Sequence, residues 1–142
     1  MKLNIAFVLG AVIGLNIFAG AADTAETLFD AKCAVCHSKT KPADMNKIVA
    51  PAIMGVMRHV KMTYPKKEDA VKFMVDYVLE PSKEKAICMP QKIERFGLMP
   101  SQKDNVIKEE LEKITGWMYD TFPPAGFRGM GQGKGMMQGK GR

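Results

Sequence analysis

Three cysteines, two histidines and one tryptophan are all that 142 residues offer of these types, and each scarcity narrows the field. Cys88 stands alone, without the second C-x-x-C pair that a structural zinc site would commonly use. No segment alternates apolar and polar residues at the period of a strand, so the chain is expected to be all-α. No long-period repeat is present, which sets aside solenoids. Arginines interleaved with aromatics are also missing, and with them any expectation of nucleic-acid binding.

The formal charge of +6 is unevenly spread. Residues 22–125 hold 16 Lys/Arg against 15 Asp/Glu, alternating in sign, while the segment from Gly126 carries Arg128, Lys134, Lys140 and Arg142 with no acid. The central part is therefore almost neutral and the end basic. That end, "GFRGMGQGKGMMQGKGR", is mostly glycine with methionine and cations. It has too little apolar surface to offset the entropy of ordering it, so residues 125–142 are expected to be disordered. A flexible spacer is the first role for it, a basic contact with an acidic partner or anionic membrane surface the second, and a thioether Cu(I) site the third.

At the other end, Lys2 precedes an apolar run from Ile5 to Phe18 and then Ala19-Gly20-Ala21-Ala22. Small residues after such a run fit a signal-peptidase site, so residues 1–21 are expected to direct export to the periplasm, with cleavage after Ala21. About 18 apolar residues can also just span a bilayer, which keeps an uncleaved membrane anchor as the alternative. Removal leaves about 120 residues, one small domain whose core would gain from a covalent cofactor or a metal.

Within residues 22–124, Asp23 is the expected N-cap of a first helix, with Glu26 completing a capping box. That helix runs into "CAVCH". Lys39 to Asn46 reads as loop around Pro42, and "VAPAIMGVMRHV" as a loop or short helical turn between Pro51 and Gly55. Val71, Met74, Val75 and Val78 share one face of a second helix, stopped by Pro81. Ser82 is expected to cap a short helix through Cys88 that ends before Pro90. Gly97 and Pro100 break regular structure, and from Asn105 a last helix places Leu111, Ile114, Trp117 and Met118 on one side.

The motif "CAVCH" admits three chemistries. A thioredoxin-like dithiol is disfavoured, because it belongs with a βαβ pattern that this chain lacks. Zinc would need Cys33, Cys36 and Cys88 with either His37 or His59. The third accounts for every position: C-x-x-C-H is the attachment signature of c-type haem. Two thiols at that spacing add to the porphyrin vinyl groups, and the adjacent imidazole is directed at the iron. Export fits as well, since such attachment is completed outside the cytoplasm.

On these residues the chain resembles the small monohaem cytochromes c, over about residues 22–124. The likeness rests on "CAVCH", then "PAIMGVMR", then "GLMPS" followed by a helix with an aromatic. It implies about four short helices around one covalent haem c, held by Cys33 and Cys36. It implies that the Pro51 carbonyl orients His37 through its distal N–H, although Ala50 replaces the glycine more common there. The terminal helices of the family cross, which would bring Leu28 and Phe29 against Leu111 and Trp117.

A sixth ligand must come from twelve methionines. Met54, Met57 and Met74 read as core filler. Met89 in "ICMPQ" and Met99 in "GLMPS" both precede proline on irregular backbone. Met99 is preferred because Gly97 allows close backbone approach and the family places its methionine shortly before the last helix. Met89 is the reserve, and His59 a third option set against an ordinary, partly buried histidine.

His37 and Met99 together would leave iron no open position. No second C-x-x-C-H and no nucleophile–base pair is present. Outer-sphere electron transfer by a monomer, with transient redox protein partners and no enzymatic activity, is the expectation. A haem-based sensor with a displaceable sixth ligand, and a structural zinc protein, are the alternatives. Cys88 reads as a small buried hydrophobe at the end of a helix, against a reactive thiol.

Overall fold

The computed structural model describes residues 23–127. The segment at 1–21 expected to direct export and the basic segment from Arg128 onward lie outside the described residues. Among the described residues all regular structure is helical, in five helices: α1 Ala25–Lys32, α2 Ile53–Thr63, α3 Lys67–Leu79, α4 Pro90–Phe96 and α5 Lys108–Thr121. None of these is long and apolar enough to cross a membrane.

α1 begins one residue later than its capping pattern suggests. Thr24, not Asp23, is the N-cap, and its hydroxyl accepts from the Thr27 N–H at 3.1 Å. With Thr24 as the cap, Thr27 and not Glu26 stands three residues on, and Glu26 pairs instead with Lys39 at 2.9 Å. α5 carries half of a capping box: the Glu110 carboxylate accepts from the Ile107 N–H at 3.3 Å, while Ile107 has no side-chain acceptor to return the bond.

Three expectations along the chain are corrected. The segment after Pro51 is not a loop or short turn but an 11-residue helix, α2. Pro51 lies before the Ala52 N-cap and Gly55 falls in the first turn, so neither interrupts the interior. Ile53, Met57 and Val60 then form its buried face. The helix expected from Ser82 to Cys88 is a single turn, with the Ala86 N–H on the Ser82 carbonyl at 3.1 Å. Of the residues after its cap, Ile87 packs on the core and supplies little reason to propagate a nucleus. Pro90, expected as a terminator, instead opens α4 at its first position, where a missing N–H costs nothing.

The core forms where α1, α3 and α2 meet α5. Phe29 from α1 and Ile114 from α5 are both 0% exposed. Phe29 also meets Trp117 with ring centroids 5.4 Å apart, and Trp117 meets Phe122 edge-on at the same distance. Leu28 and Leu111 are buried alongside, so the expected meeting of the terminal helices is present. Burying these side chains supplies about 25 cal/mol per Å² of apolar area removed from water. Met57 and Met74 are buried in the core and Met54 packs against it, as expected.

Candidate functional site

α1 does not stop cleanly; it tightens. Cys33 caps the helix with its N–H on the Phe29 carbonyl at 2.8 Å, and Ala34 donates to the same carbonyl at 3.0 Å. Cys36 and His37 then donate to the Cys33 carbonyl at 3.1 and 2.9 Å. This turn compresses the five-residue motif and brings Cys33, Cys36 and His37 to one cavity. The cavity has a volume of about 310 Å³ and a mostly apolar wall that includes Phe29, Ile53, Val60, Leu111, Ile114 and Met118.

The imidazole is held from behind. His37 Nδ1 lies 2.8 Å from the Pro51 carbonyl oxygen. A carbonyl only accepts, so Nδ1 carries the proton and donates, which leaves Nε2 as the lone-pair nitrogen. The Ile53 N–H donates to the Ser38 carbonyl at 3.0 Å, stitching the residue after His37 to the start of α2. The Pro51 carbonyl is thereby fixed beside the ring by a second backbone bond. Such a partner sets the orientation of the ring and its tautomer.

Met99 also lines the cavity, on the irregular segment after α4. Gly97 closes α4 with φ +74° and ψ −178°, a backbone state essentially restricted to glycine. Beyond Met99 the chain is pinned to the end of α3: Ser101 Oγ donates to the Leu79 carbonyl at 2.5 Å, and the Gln102 N–H to the Val78 carbonyl at 3.0 Å. Met89, by contrast, is the α4 N-cap, 45% exposed, and outside the cavity wall. His59 is also absent from the wall. Met74 and Met118 do reach it, but from helices α3 and α5, where they are part of the buried core.

Cys88 sits in the turn before α4, not at a helix end, and it too lines the cavity. All three thiols are free. Burial pushes Cys33 up to about 11, outweighing the Lys32 ammonium beside it, and burial also raises Cys88. A disulfide oxidoreductase needs a lowered thiol pKa, so the shift at Cys33 runs against that chemistry. Among the described residues no three His, Cys, Asp or Glu side chains converge as a metal site, although zinc ordinarily takes four such ligands.

The donor set suits haem. Two thiols at C-x-x-C spacing, an oriented imidazole and a thioether sulfur face one apolar cavity, which matches the needs of an apolar macrocycle with an iron at its centre. Sequence patterns alone did not point to Phe73, Tyr77, Ile93, Phe96 and Lys92 as further parts of this wall. The i, i+4 spacing of Phe73 and Tyr77 was available as a signal, since both project from one side of α3.

No family model and no solved structure matches the chain. An uncharacterized protein of Aquifex aeolicus (strain VF5) is 31% identical over 103 residues, which cover 63% of this chain and 68% of that protein.

Proposed function

We propose that this chain, which belongs to one family with the Aquifex aeolicus protein, is an exported electron carrier with one c-type haem and a cytochrome c-like fold. The observation that carries this is the convergence of Cys33, Cys36, His37 and Met99 on a single apolar cavity, with His37 Nδ1 on the Pro51 carbonyl. Haem bound there would supply a centre that takes up and gives back one electron.

The rest is the work of the chain. Cys33 and Cys36 would hold the group through thioether links, a permanent attachment suited to a carrier that must not lose its cofactor outside the cytoplasm. His37 Nε2 and Met99 Sδ would hold the iron. A thioether paired with an imidazole would favour the ferrous state and so a higher potential than two imidazoles. The apolar wall keeps water from the iron and limits solvent rearrangement when charge changes. With His37 and Met99 both given to the iron, no site would be left for a substrate.

Val35, 82% exposed, and Val49, 64% exposed, border the same cavity with Leu98. An apolar mouth of this kind suits brief, small-area contact with redox protein partners. The carrier acts as a monomer in the periplasm, and the cations from Arg128 onward would suit contact with an anionic surface.

Carbon monoxide separates this function from that of a haem sensor. Ferrous protein at neutral pH should keep its spectrum when the gas is added. Rapid formation of a carbonyl adduct would assign the sensor instead.

A further inference from the structure

Met99 lies on irregular backbone between α4 and α5, and a donor so placed depends on its neighbours to stay in register with the other ligands. Those neighbours form a continuous line of hydrogen bonds. The Pro100 carbonyl, next in the chain, accepts from Gln102 Nε2 at 2.9 Å. A carbonyl only accepts, so the proline fixes the sense of the Gln102 amide and leaves Oε1 as its free end. Asn105 Nδ2 donates to that Oε1 at 3.1 Å. The same Nδ2 lies 3.4 Å from the Lys32 carbonyl, and Lys32 Nζ returns a bond of 2.7 Å to the Asn105 carbonyl. Lys32 and Asn105 thus grip each other in both directions.

The backbone reinforces the line, since the Asn105 and Val106 N–H groups both donate to the Gln102 carbonyl, at 2.9 and 3.0 Å. Its far end matters most. Lys32 is the last residue of α1 and is followed directly by Cys33. The bonds therefore run from the residue before the first cysteine of the motif to the residue after Met99, and Lys32, Met99, Pro100, Gln102 and Asn105 all line the cavity. The ties from Ser101 and the Gln102 N–H hold the same segment to α3, a helix that brings no thiol. Only the Lys32 link joins it to the helix that leads into the motif. That link is charge-assisted, the stronger kind of hydrogen bond. Its ammonium is also paired with Glu110 at 3.1 Å, with about a quarter of the side chain exposed.

We propose that Lys32, Asn105 and Gln102 form a latch that keeps the Met99 sulfur at the haem iron and so sets how readily an outside ligand replaces it. This rests on the haem assignment above. All three are positioning residues: they act on Met99 through its backbone, and opening the segment to release the sulfur breaks their bonds.

The test titrates ferric haem-loaded protein with imidazole and follows the long-wavelength iron–thioether band in Lys32→Leu, Gln102→Leu and Asn105→Ala. Thr24→Ala and Lys103→Gln are the controls. Thr24→Ala removes the cap at the opposite end of α1 and costs stability without touching the latch. Imidazole enters only after the sulfur leaves, so a bond that breaks on leaving raises the concentration needed. Lys32→Leu should bleach the band at an imidazole midpoint about tenfold lower, the population shift expected from one charge-assisted hydrogen bond. Gln102→Leu and Asn105→Ala should move it the same way by less, and both controls should keep the parent midpoint. Haem-loaded Lys32→Leu and Gln102→Leu proteins that bleach at the parent midpoint would overturn the latch while leaving the haem assignment standing. An equal fall in Thr24→Ala would overturn it too, as general loosening. If Lys32→Leu or Gln102→Leu fails to fold, Asn105→Ala decides by the same measure. A parent polypeptide that never acquires haem would overturn both the latch and the haem assignment.

Discussion

A sulfur donor has to reach the cavity without being needed elsewhere, and this condition separates the methionines better than their number does. Met74 and Met118 reach the wall as core residues of helices, and Met89 lies outside it. Met99 reaches it from irregular backbone fixed on both sides, by Gly97 before and by the bonds of Ser101 and Gln102 after. In ferric haem-loaded protein, Met99→Ala should abolish the long-wavelength iron–thioether band and lower the reduction potential, while Met89→Ala should keep both. Loss of the band in Met89→Ala or Met74→Ala alone would move the ligand. At this scale the sequence was most informative where chemistry dictates spacing: Cys33, Cys36 and His37 were legible from five residues, and Pro51 was found by resemblance. Tyr77 and Lys92 were not, since a tyrosine and a lysine on helices have no pattern of their own until a cavity shows which way they face.

Elements carry the site through their ends more than through their middles. α4 ends at Gly97 with φ +74°, and a Cβ built there meets nothing within 4 Å. The cost of Gly97→Ala is thus conformational and not steric, about 1–3 kcal/mol for a non-glycine residue in that region. Urea unfolding should show that loss, and the ferric spectrum should show a weakened thioether band as the Met99 segment shifts. At the head of α5, the hydrogen bond from Lys32 holds the Glu110 carboxyl below its usual range, helped by the Ile107 N–H. A carboxyl that binds its proton less tightly when folded adds stability above its unfolded pKa and loses it as pH falls through the folded value. Glu110→Gln should therefore narrow the gap in urea midpoint between about pH 7 and about pH 3; an unchanged gap would show that the pair does not couple α1 to α5. Helix interiors with a clear apolar face, α3 and α5, were legible in the sequence. The ends were harder, because proline before or at the first turn permits a helix while proline inside one stops it. Both α2 and α4 were obscured by that ambiguity at Pro51 and Pro90.

For the molecule as a whole, the described helices fold around α5 and leave an apolar cavity of about 310 Å³ bordered by free thiols. An all-α chain was evident from the lack of strand periodicity. The cavity itself was not, since it is made by side chains from every described helix and from three of the segments that connect them. A hollow apolar centre costs packing energy unless something fills it, so the proposed covalent cofactor would have a structural as well as an electronic role. The most direct measurement is the intact mass and absorption spectrum of mature protein secreted from a host that installs c-type haem. The account predicts one haem added to the polypeptide mass, a c-type spectrum, and loss of the covalent adduct when Cys33 and Cys36 are both changed to alanine. A mature chain with the mass of bare polypeptide and three free thiols would contradict it.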